Sequence, residues 1–420
     1  MKVTNVITRD EGGGGRAARR LHDGLLEVGV ESTLYVRGSK SKDHTVQVFE
    51  SSTSLGDRAN RWYRRKQLRP RYERIENYFG SEWPWGIDDQ TIDGAEVIRQ
   101  MPDSDVINLH SLYNFIDLSL FFRSDQSRRP VVWTLHDMVA FTGGCMYSDG
   151  CRRFEEKCVE CPILSKVGLP DWSKDVWSRK KSAYNEIDGK RFSIVTPSQW
   201  MADQVSKSAL LKRFNVSVIP YGLDTDAYSP KNKKHCREVL GIDETAKVVL
   251  FVTQYDVRNR RKGFEELSEA LRLIKDVENL VLLTVGKGVV AEELGHPVVH
   301  LGEIGNERIQ SIVYSAADVY LIPSIEDNFP LVVQESMACG TPVVGFASGG
   351  IPEMVVNGTH GRLVKTGESR ELATALSEVL KDDEMRSEFG EACRKTAVRD
   401  FSLSRQANAY RGIYESLLHG

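Results

Sequence analysis

Short apolar runs alternate with amphipathic segments along most of the chain. A buried parallel strand appears as a run of about four to eight apolar residues, whereas a helix repeats its apolar positions every three or four residues. Between the runs lie predicted helices, such as 16–28, in which Leu21, Leu25 and Leu26 share one face. Further helices are predicted at 264–275, 307–316 and 331–339. Strands are predicted at 3–8, 32–36, 105–109, 131–135, 194–196, 248–253, 280–285, 319–322 and 343–346.

This alternation predicts the α/β fold class, with two doubly wound, Rossmann-like domains facing a cleft. Helices that connect neighbouring strands by right-handed crossovers produce parallel sheets, and ligands bind beyond the carboxyl ends of such strands. The 420 residues are too many for one compact core. Because a polar stretch at 229–234 follows the last predicted strand of the first half, we place the domain boundary between 224 and 225.

Composition is that of an ordinary water-soluble protein. A hydrophobic content of 40%, a charged content of 27% and a net charge of −3 argue against general nucleic-acid binding. The longest apolar runs have the length of strands and are too short to span a membrane. The first residues lead straight into a strand without a signal-peptide pattern, so we expect a cytoplasmic location in which the seven cysteines stay reduced or bind metal.

The segment 324–344 carries the clearest chemical signature. It follows a predicted strand, places Glu326 and Asp327 in a loop, and places Glu335 inside the next helix. The amino end of a helix that follows a buried strand favours an anionic group such as a phosphate. A carboxylate one or two turns into that helix can accept hydrogen bonds from the vicinal hydroxyls of a ribose. The segment therefore predicts recognition of a nucleotide sugar.

Residues of characteristic type mark the two ends of the helix in this segment. Asn328 is the predicted N-cap, and Pro330 lies in the first turn, where a missing N–H costs little. Gly340 has the place of a C′ glycine, and Pro342 follows it. The helix is therefore expected to begin after Asn328 and to end before Gly340.

Two features of the first half follow the carboxyl ends of predicted strands. A run of four glycines opens the first predicted helix, and Gly13 and Gly14 there would let a ligand approach the backbone; a tight turn that requires glycine explains the run equally well. His136 follows the strand at 131–135 and can bond a sugar hydroxyl or transfer a proton. The alternative is a loop histidine bonded to backbone, and His110 gives a weaker version of the same pattern.

A basic loop precedes the helix predicted at 264–275. Its cations are Arg258, Arg260, Arg261 and Lys262. Cations at the start of a helix oppose the helix dipole, so we expect them to serve an anion rather than helix stability. Arg261 and Lys262 are the best candidates for contact with a diphosphate, and a solvated loop is the alternative.

Four of the seven cysteines, Cys145, Cys151, Cys158 and Cys161, fall within 17 residues. One CxxC pair with two further cysteines can form a tetrahedral zinc site. Such a site would be structural, because four thiolates leave no open coordination position for catalysis. The alternatives are cysteines that only pack or a pair that can be oxidised.

The segment 58–74 is strongly basic. It contains eight Arg or Lys residues against one Glu, interleaved with Trp62, Tyr63 and Tyr72. A helix of this composition suits a peripheral contact with an anionic membrane surface, and it would also attract an acceptor that carries phosphates. A solvated basic helix is the alternative.

Taken together, these residues resemble the GT-B glycosyltransferases. The resemblance is to the large retaining family 4, which includes many bacterial polysaccharide and lipid-glycan enzymes, and it spans nearly the whole chain. Its most specific motifs are Phe-Pro-Leu at 329–331, Glu-Ser-Met-Ala-Cys-Gly-Thr-Pro-Val-Val at 335–344 and Gly-Gly-Ile-Pro-Glu at 349–353. Segments 143–145 and 158–162 are similar to a subgroup that makes capsules and exopolysaccharides.

The resemblance implies roles for the donor-binding candidates. Glu335 would bind the donor ribose, and an acid separated from it by seven intervening residues in the family spacing would contact the donor sugar; that position falls on Asp327, with Glu326 one residue early. The basic pair would hold the diphosphate, with Arg258 or Arg261 standing where the usual arginine has no clear counterpart. Phe329, Pro330 and Leu331 would line the donor site, and His136 would lie near the transferred sugar.

The resemblance also implies a function for each domain. Residues 1–224, completed by a C-terminal helix at 403–420, would face the acceptor, and residues 225–402 would bind the donor. We expect a hexosyltransferase that moves a sugar, with retention and without a catalytic metal, from a nucleotide diphosphate sugar to a glycan or lipid-linked acceptor at the inner face of the membrane. The alternatives are a nucleotide-sugar epimerase or other GT-B enzyme, and a non-catalytic protein that binds sugar nucleotides or docks on membranes.

Overall fold

The computed structural model describes residues 1–79, 86, 89–256, 260–287 and 294–419, apart from the side chains of 78–79 and 254–256. The chain divides into two compact units: unit 1 comprises residues 1–220 and 406–420, and unit 2 comprises residues 221–405. The sequence-based boundary after residue 224, and the acceptor and donor roles attached to it, stay predictions.

Each unit is built on a parallel sheet. The strand order is β3-β2-β1-β4-β5-β6-β7 in unit 1 and β10-β9-β8-β11-β12-β13 in unit 2. Neighbouring strands in both sheets run parallel. The strands are β1 (Lys2–Arg9), β2 (Glu31–Gly38), β3 (Val46–Val48), β4 (Val106–Leu109), β5 (Val131–Thr134), β6 (Phe192–Thr196), β7 (Val216–Val218), β8 (Lys247–Asp256), β9 (Leu280–Lys287), β10 (Val298–His300), β11 (Val319–Ile322), β12 (Val343–Phe346) and β13 (Gly361–Val364).

Helices connect the strands in both units, which confirms the α/β class with two Rossmann-like, doubly wound sheets. Helices of the described residues are α1 (Gly12–Glu27), α2 (Leu55–Phe79), α3 (Glu96–Arg99), α4 (Leu118–Phe122), α5 (Pro162–Lys166), α6 (Ser173–Tyr184), α7 (Gln199–Lys207), α8 (Lys233–Leu240), α9 (Phe264–Leu273), α10 (Glu307–Ala316), α11 (Leu331–Ala338), α12 (Ile351–Met354), α13 (Ser369–Lys381), α14 (Asp383–Asp400) and α15 (Leu403–His419). None of these helices is long and apolar enough to cross a membrane.

The first helix begins earlier than its apolar pattern predicts. α1 starts at Gly12, so the glycine run forms the first turn of the helix instead of a loop before Arg16. A Cβ atom on Gly15 would lie 2.6 Å from the carbonyl oxygen of Arg9. The missing side chain therefore lets the start of α1 pack directly against the end of β1.

The C-terminal helix completes the core of unit 1. Ala407, Tyr410 and Tyr414 of α15 are buried in one cluster with Val3 and Val106 from the central strands. The sheet interior is not wholly apolar, because Asn5 of β1 and Asn108 of β4 are buried opposite each other in register. Buried amides of this kind require hydrogen-bond partners, and Tyr414 of α15 supplies one of them to Asn108.

Candidate functional site

The segment that carries the sequence signature forms the expected strand, loop and helix in unit 2. β11 ends at Ile322 and α11 begins at Leu331. The N-cap is Pro330, without a side-chain cap, so the prediction that Asn328 caps this helix is wrong. Asn328 lies two residues earlier and is buried in the loop. The residue before a proline, here Phe329, is disfavoured in the helical conformation, so the helix cannot begin directly after Asn328.

The basic loop meets the acidic loop through ion pairs. Lys262 Nζ donates to Asp327 Oδ2 at 2.7 Å, and Arg261 Nη1 lies 3.3 Å from the same oxygen. Arg261 Nη1 also donates to the backbone oxygen of Glu326 at 2.9 Å. The structure thus brings together four predicted site residues: the cations Arg261 and Lys262 and the acids Glu326 and Asp327. Arg258 lies outside the described residues.

Burial controls the charge state of this cluster. Burial raises the pKa of the Asp327 carboxyl, but Lys262 and Arg261 outweigh it, and the net pKa is below its ordinary value. Burial lowers the pKa of the Lys262 ammonium, and neighbouring Arg261 lowers it further, against the opposing effect of Asp327. Each member of the pair opposes the effect of burial on the other.

Two glycines allow the loops of this cluster to approach closely. Gly263, which precedes α9, has φ +71, and a Cβ atom there would lie 1.8 Å from the carbonyl oxygen of Pro323. Gly349 has φ +56, and its Cβ atom would lie 1.8 Å from the carbonyl oxygen of Asp327. Any other residue would push the basic or the acidic loop away from its present position.

Glu335 lies inside α11 and is 1% exposed. Its Oε2 accepts a hydrogen bond from Tyr314 Oη at 3.0 Å. Tyr314, on α10, is a residue that sequence reasoning missed, since no local pattern links it to Glu335. A buried carboxylate held by a hydroxyl group can bind the hydroxyl groups of a sugar.

Phe329, Pro330 and Leu331 are buried next to the acidic loop. The Phe329 ring meets the rings of Tyr221 and Phe401 edge to face, at centroid distances of 5.8 Å each. These contacts fix the entry to α11 through packing. A role for the three residues in donor binding stays a prediction.

In unit 1, His136 lies two residues beyond β5, beside the start of α1. A Cβ atom on Gly14 would lie 3.3 Å from His136 Cγ, whereas a Cβ atom on Gly13 would contact nothing within 4 Å. His136 Nε2 is 3.0 Å from His110 Nδ1, and the two rings stack with centroids 5.2 Å apart. The structure therefore brings together the candidates Gly14, His136 and His110.

A small cavity lies at this edge of the sheet, lined by both histidines together with Ser111, Tyr113 and Asp137. Tyr113 Oη donates to Asp137. Burial lowers the pKa of His136 to about 3, and burial likewise holds the pKa of His110 well below its usual value of 6.5. Both imidazoles are therefore neutral at physiological pH and act as polar groups rather than cations.

The four clustered cysteines have free thiols. The backbone N–H of Gly143 donates to Cys158 Sγ at 3.2 Å, and burial raises the pKa of Cys158 to about 11. Zinc bound by four thiolates requires sulfur atoms about 3.8 Å apart. Among the described residues, three donor atoms come within 4.8 Å of one another only at His22, Asp23 and Asp43. No three of the four cysteine sulfurs lie within 4.8 Å of one another. Their zinc site stays a prediction.

Comparison with protein-family models assigns both halves of the chain. Residues 11–227 match the model of Glycosyltransferase Family 4, and residues 232–396 match the model of Glycosyl transferases group 1. The first match alone covers more than half of the chain. The motifs singled out above fall inside these two ranges.

Individual relatives share part of the sequence or the whole fold. The chain is 30% identical over 264 residues to D-inositol 3-phosphate glycosyltransferase of Corynebacterium jeikeium (strain K411), covering 58% of this chain and 62% of that protein. The chain spans 41% to 62% of the length of the first such relatives.

Two solved structures align over nearly the whole chain. Sucrose-phosphate synthase from Thermosynechococcus elongatus has 18% identity and a TM-score of 0.68, with 99% of this chain and 98% of that chain covered. Anabaena HepE, solved in complex with UDP-glucose, has 18% identity and a TM-score of 0.65, with 99% and 100% covered. At this identity the likeness concerns the fold alone. The matched models, with the sheets and loops described above, show that the chain belongs to glycosyltransferase family 4 and has the GT-B fold.

Proposed function

We propose that this protein transfers a sugar from a nucleotide diphosphate sugar to a glycan or lipid-linked acceptor. The observation that carries the proposal is the convergence of Lys262 and Arg261 on the acidic loop ahead of α11. A diphosphate that leaves during transfer gains negative charge, and cations already held in position stabilise that charge without reorganising. The same two cations supply positive charge without a catalytic metal.

Glu335 supports the nucleotide part of the proposal. Its side chain is held by Tyr314 in the helix that follows the cationic cluster, so ribose and diphosphate would contact adjacent parts of one strand–loop–helix unit. Asp327 is the favoured acid for the donor sugar by family spacing, although it is also the counter-ion of Lys262. Glu326 is the alternative, and its side chain is more exposed.

The direct test is release of a nucleoside diphosphate from a panel of nucleotide sugars in the presence of acceptor extract. UDP-glucose, the ligand of the HepE complex, is a suitable first donor. Transfer that disappears in Glu335→Ala supports the proposal. A stable product with inverted configuration at the sugar, detected by NMR, would overturn retention. Interconversion of nucleotide sugars without acceptor would favour an epimerase, and binding without turnover would favour a non-catalytic protein.

We propose that the acceptor lies at an anionic membrane and that the transfer serves surface polysaccharide biosynthesis; the outer face of α2 supports the membrane contact. Arg61 and Arg64 pair with the buried carboxylates of Glu96 and Asp117, so they serve unit 1 itself. Trp62 is 66% exposed, and the exposed cations of this helix are Arg58, Arg65, Lys66, Arg69 and Arg74. Exposed aromatic and cationic side chains together suit the interface of an anionic bilayer.

Vesicle sedimentation tests the membrane contact. The protein should sediment with vesicles of phosphatidylglycerol and phosphatidylcholine but not with vesicles of phosphatidylcholine alone, and the double variant Arg65→Glu with Lys66→Glu should lose the binding. Equal sedimentation with both vesicle types would refute an electrostatic contact.

We also propose that the cysteine cluster holds structural zinc when the protein folds with metal present. Backbone N–H groups donate to Cys158 and Cys161 and lower the pKa of these thiols against the larger, opposing effect of burial, which is the direction that zinc binding requires. Binding would have to draw the four sulfurs together. Metal analysis of protein purified under reducing conditions should find one zinc per chain, and a metal-free preparation of equal thermal stability would refute the site.

A further inference from the structure

A chain of hydrogen bonds crosses the sheet of unit 1, from His136 after β5, through β4 and β1, to β2. From His136 the chain passes to His110, whose Nε2 lies 3.2 Å from Asn5 Oδ1. Asn5 Nδ2 donates to Ser32 Oγ at 2.9 Å. Ser32 Oγ lies 2.7 Å from His22 Nδ1. The links join β5, β4, β1, β2 and α1, which are neighbours in the fold but distant in the sequence.

The far end of this chain is a carboxylate. His22 Nε2 lies 2.9 Å from Thr45 Oγ1, and Thr45 Oγ1 donates to Asp43 Oδ1 at 2.7 Å. Hydrogen bonds from Thr45, together with Arg19, lower the pKa of Asp43 to about 2, so this group is an acceptor only. Since the hydroxyl hydrogen of Thr45 points to Asp43, Thr45 accepts from His22 Nε2–H, and His22 Nδ1 accepts from Ser32.

The orientation of Asn5 is set independently. Asn108 Oδ1 accepts from Thr134 Oγ1 at 2.9 Å, and Asn108 Nδ2 donates both to Tyr414 Oη at 2.9 Å and to Asn5 Oδ1 at 3.1 Å. The oxygen of Asn5 therefore faces Asn108 and His110, and its nitrogen faces Ser32. His110 must donate to that oxygen through Nε2–H.

A neutral imidazole carries one N–H, so the remaining tautomers follow. His110 with hydrogen on Nε2 has an acceptor at Nδ1, and the only ring atom that can supply the hydrogen across the 3.0 Å contact is His136 Nε2. We propose that His110 is a positioning residue that holds His136 in the Nε2–H tautomer, with Asn5 fixing the orientation of His110. His136 then presents Nδ1 as a hydrogen-bond acceptor.

This tautomer determines what His136 can do for a substrate. An acceptor at Nδ1 suits a donor-sugar hydroxyl and cannot donate to a glycosidic or phosphate oxygen. That consequence rests on the proposed function, whereas the tautomer itself does not. The low pKa values of both rings, caused by burial, support a fixed neutral tautomer rather than a shared proton.

The test is long-range ¹H–¹⁵N NMR on protein labelled with ¹⁵N-histidine, with His136→Gln used to assign the His136 signals. Wild-type His136 should show a protonated Nε2 and an unprotonated Nδ1. The reverse pattern, or an equal mixture of tautomers, would overturn the proposal. This measurement needs no variant of His110 and no activity.

A matched pair of variants tests the effect on turnover. His110→Asn keeps a carbonyl oxygen near the place of Nδ1, whereas His110→Phe keeps a stacking ring and loses the acceptor. His110→Phe should lose the preference for Nε2–H and lower kcat about 10-fold to 100-fold with a nearly unchanged donor KM, and His110→Asn should recover part of kcat. Equal kcat values in the two variants would contradict a positioning role. If no sugar transfer is found but wild-type His136 has the Nε2–H tautomer, the proposed function fails and this inference stands.

Discussion

The two candidate regions stabilise their buried polar side chains in different ways. In unit 2, Lys262 and Arg261 form ion pairs with Asp327. In unit 1, His136 and His110 are neutral and pass hydrogen bonds in one direction along the sheet. Two partly buried cations beside one carboxylate leave a positive potential that attracts a diphosphate. A chain of hydrogen bonds between neutral groups instead fixes which atom donates and which accepts. The difference teaches that charge and hydrogen-bond direction are separate ways to prepare a buried polar site for a ligand.

Removing the cation at the centre of the unit 2 cluster should have the largest effect. Lys262→Met is expected to lower kcat/KM about 10²-fold to 10³-fold, as the loss of one preorganised charge contact does. It should also lower the free energy of unfolding by about 2 kcal/mol, because Asp327 keeps only Arg261 as its counter-ion. Steady-state kinetics and denaturant unfolding measure the two effects.

The double variant Lys262→Met with Asp327→Asn is the control for that prediction. It also removes the buried carboxylate that has lost one of its two counter-ions, while Arg261, which is 25% exposed, keeps its hydrogen bond to the backbone oxygen of Glu326. The double variant should therefore recover most of the stability but none of the activity. Recovery of activity in the double variant would mean that Lys262 serves only to neutralise Asp327.

A smaller effect is expected at the ribose-binding candidate. Glu335→Gln should weaken binding of the nucleoside diphosphate about 10-fold to 100-fold and raise the donor KM, with a lesser change in kcat, since ribose contacts are the same in ground and transition states. Calorimetric titration with the nucleoside diphosphates measures it. Tyr314→Phe, which removes only the hydroxyl that holds Glu335, should give a weaker version of the same defect. An unchanged affinity in Glu335→Gln would remove Glu335 from the donor site.

As the pH falls, the region of the buried histidines in unit 1 should lose stability before the ion-paired cluster of unit 2. The pKa values of His110, His136 and His22 in unit 1 are lowered by burial, those of His136 and His22 to about 3 and about 4. Below their unfolded pKa of 6.5 the unfolded chain binds protons that the folded chain does not, so stability is full above 6.5 and is lost as pH falls toward 4. In unit 2, burial lowers the pKa of His360.

Melting temperatures at pH 7 and pH 5.5 test this difference. Each such histidine contributes at most about 1.4 kcal/mol per pH unit in that window. His22→Gln should reduce the loss of stability between the two pH values, and His44→Gln, which changes an exposed side chain of unit 1, should leave it as it is. The same loss in both variants would show that other groups cause the acid sensitivity.

The smallest effect is expected where the neutral chain meets α15. Tyr414→Phe removes the hydroxyl that accepts from Asn108, and Asn108 keeps its bond to Asn5. The free energy of unfolding should fall by about 1 kcal/mol, the usual contribution of one neutral hydrogen bond. Denaturant unfolding measures it. A loss as large as that of Lys262→Met would erase the distinction between the two regions.

Sequence pattern predicted much of the fold because burial leaves a local signature. β11, β12 and α10 begin and end where their apolar runs predict. Gly340 ends α11 with φ +71, as a C′ glycine should. The predicted start of α11 at 331 is confirmed, but its N-cap was predicted wrongly at Asn328, since the preference of Asn for N-caps is weaker than the backbone constraint of Pro330.

The local sequence pattern could not predict which side chains contact one another. His110 and His136 lie at the ends of β4 and β5 and could be noticed separately, but their link to Asn5 depends on β1 lying next to β4. Two asparagines inside apolar strands were the available signal, since a buried amide demands partners. Likewise, nothing near Glu335 in the sequence points to Tyr314 on α10.

By itself the sequence determined the alternation of strands and helices, the family, and the kinds of residue that stand at strand ends. These are properties of single segments, set by burial periodicity and by the backbone preferences of glycine and proline. Only the tertiary structure decided that Lys262 and Arg261 share Asp327 and that His136 Nε2 lies against His110 Nδ1. It also decided that no three of the clustered cysteine sulfurs come within 4.8 Å of one another. Those outcomes depend on which segments become neighbours, and the order of strands in a sheet is set by packing across the whole unit.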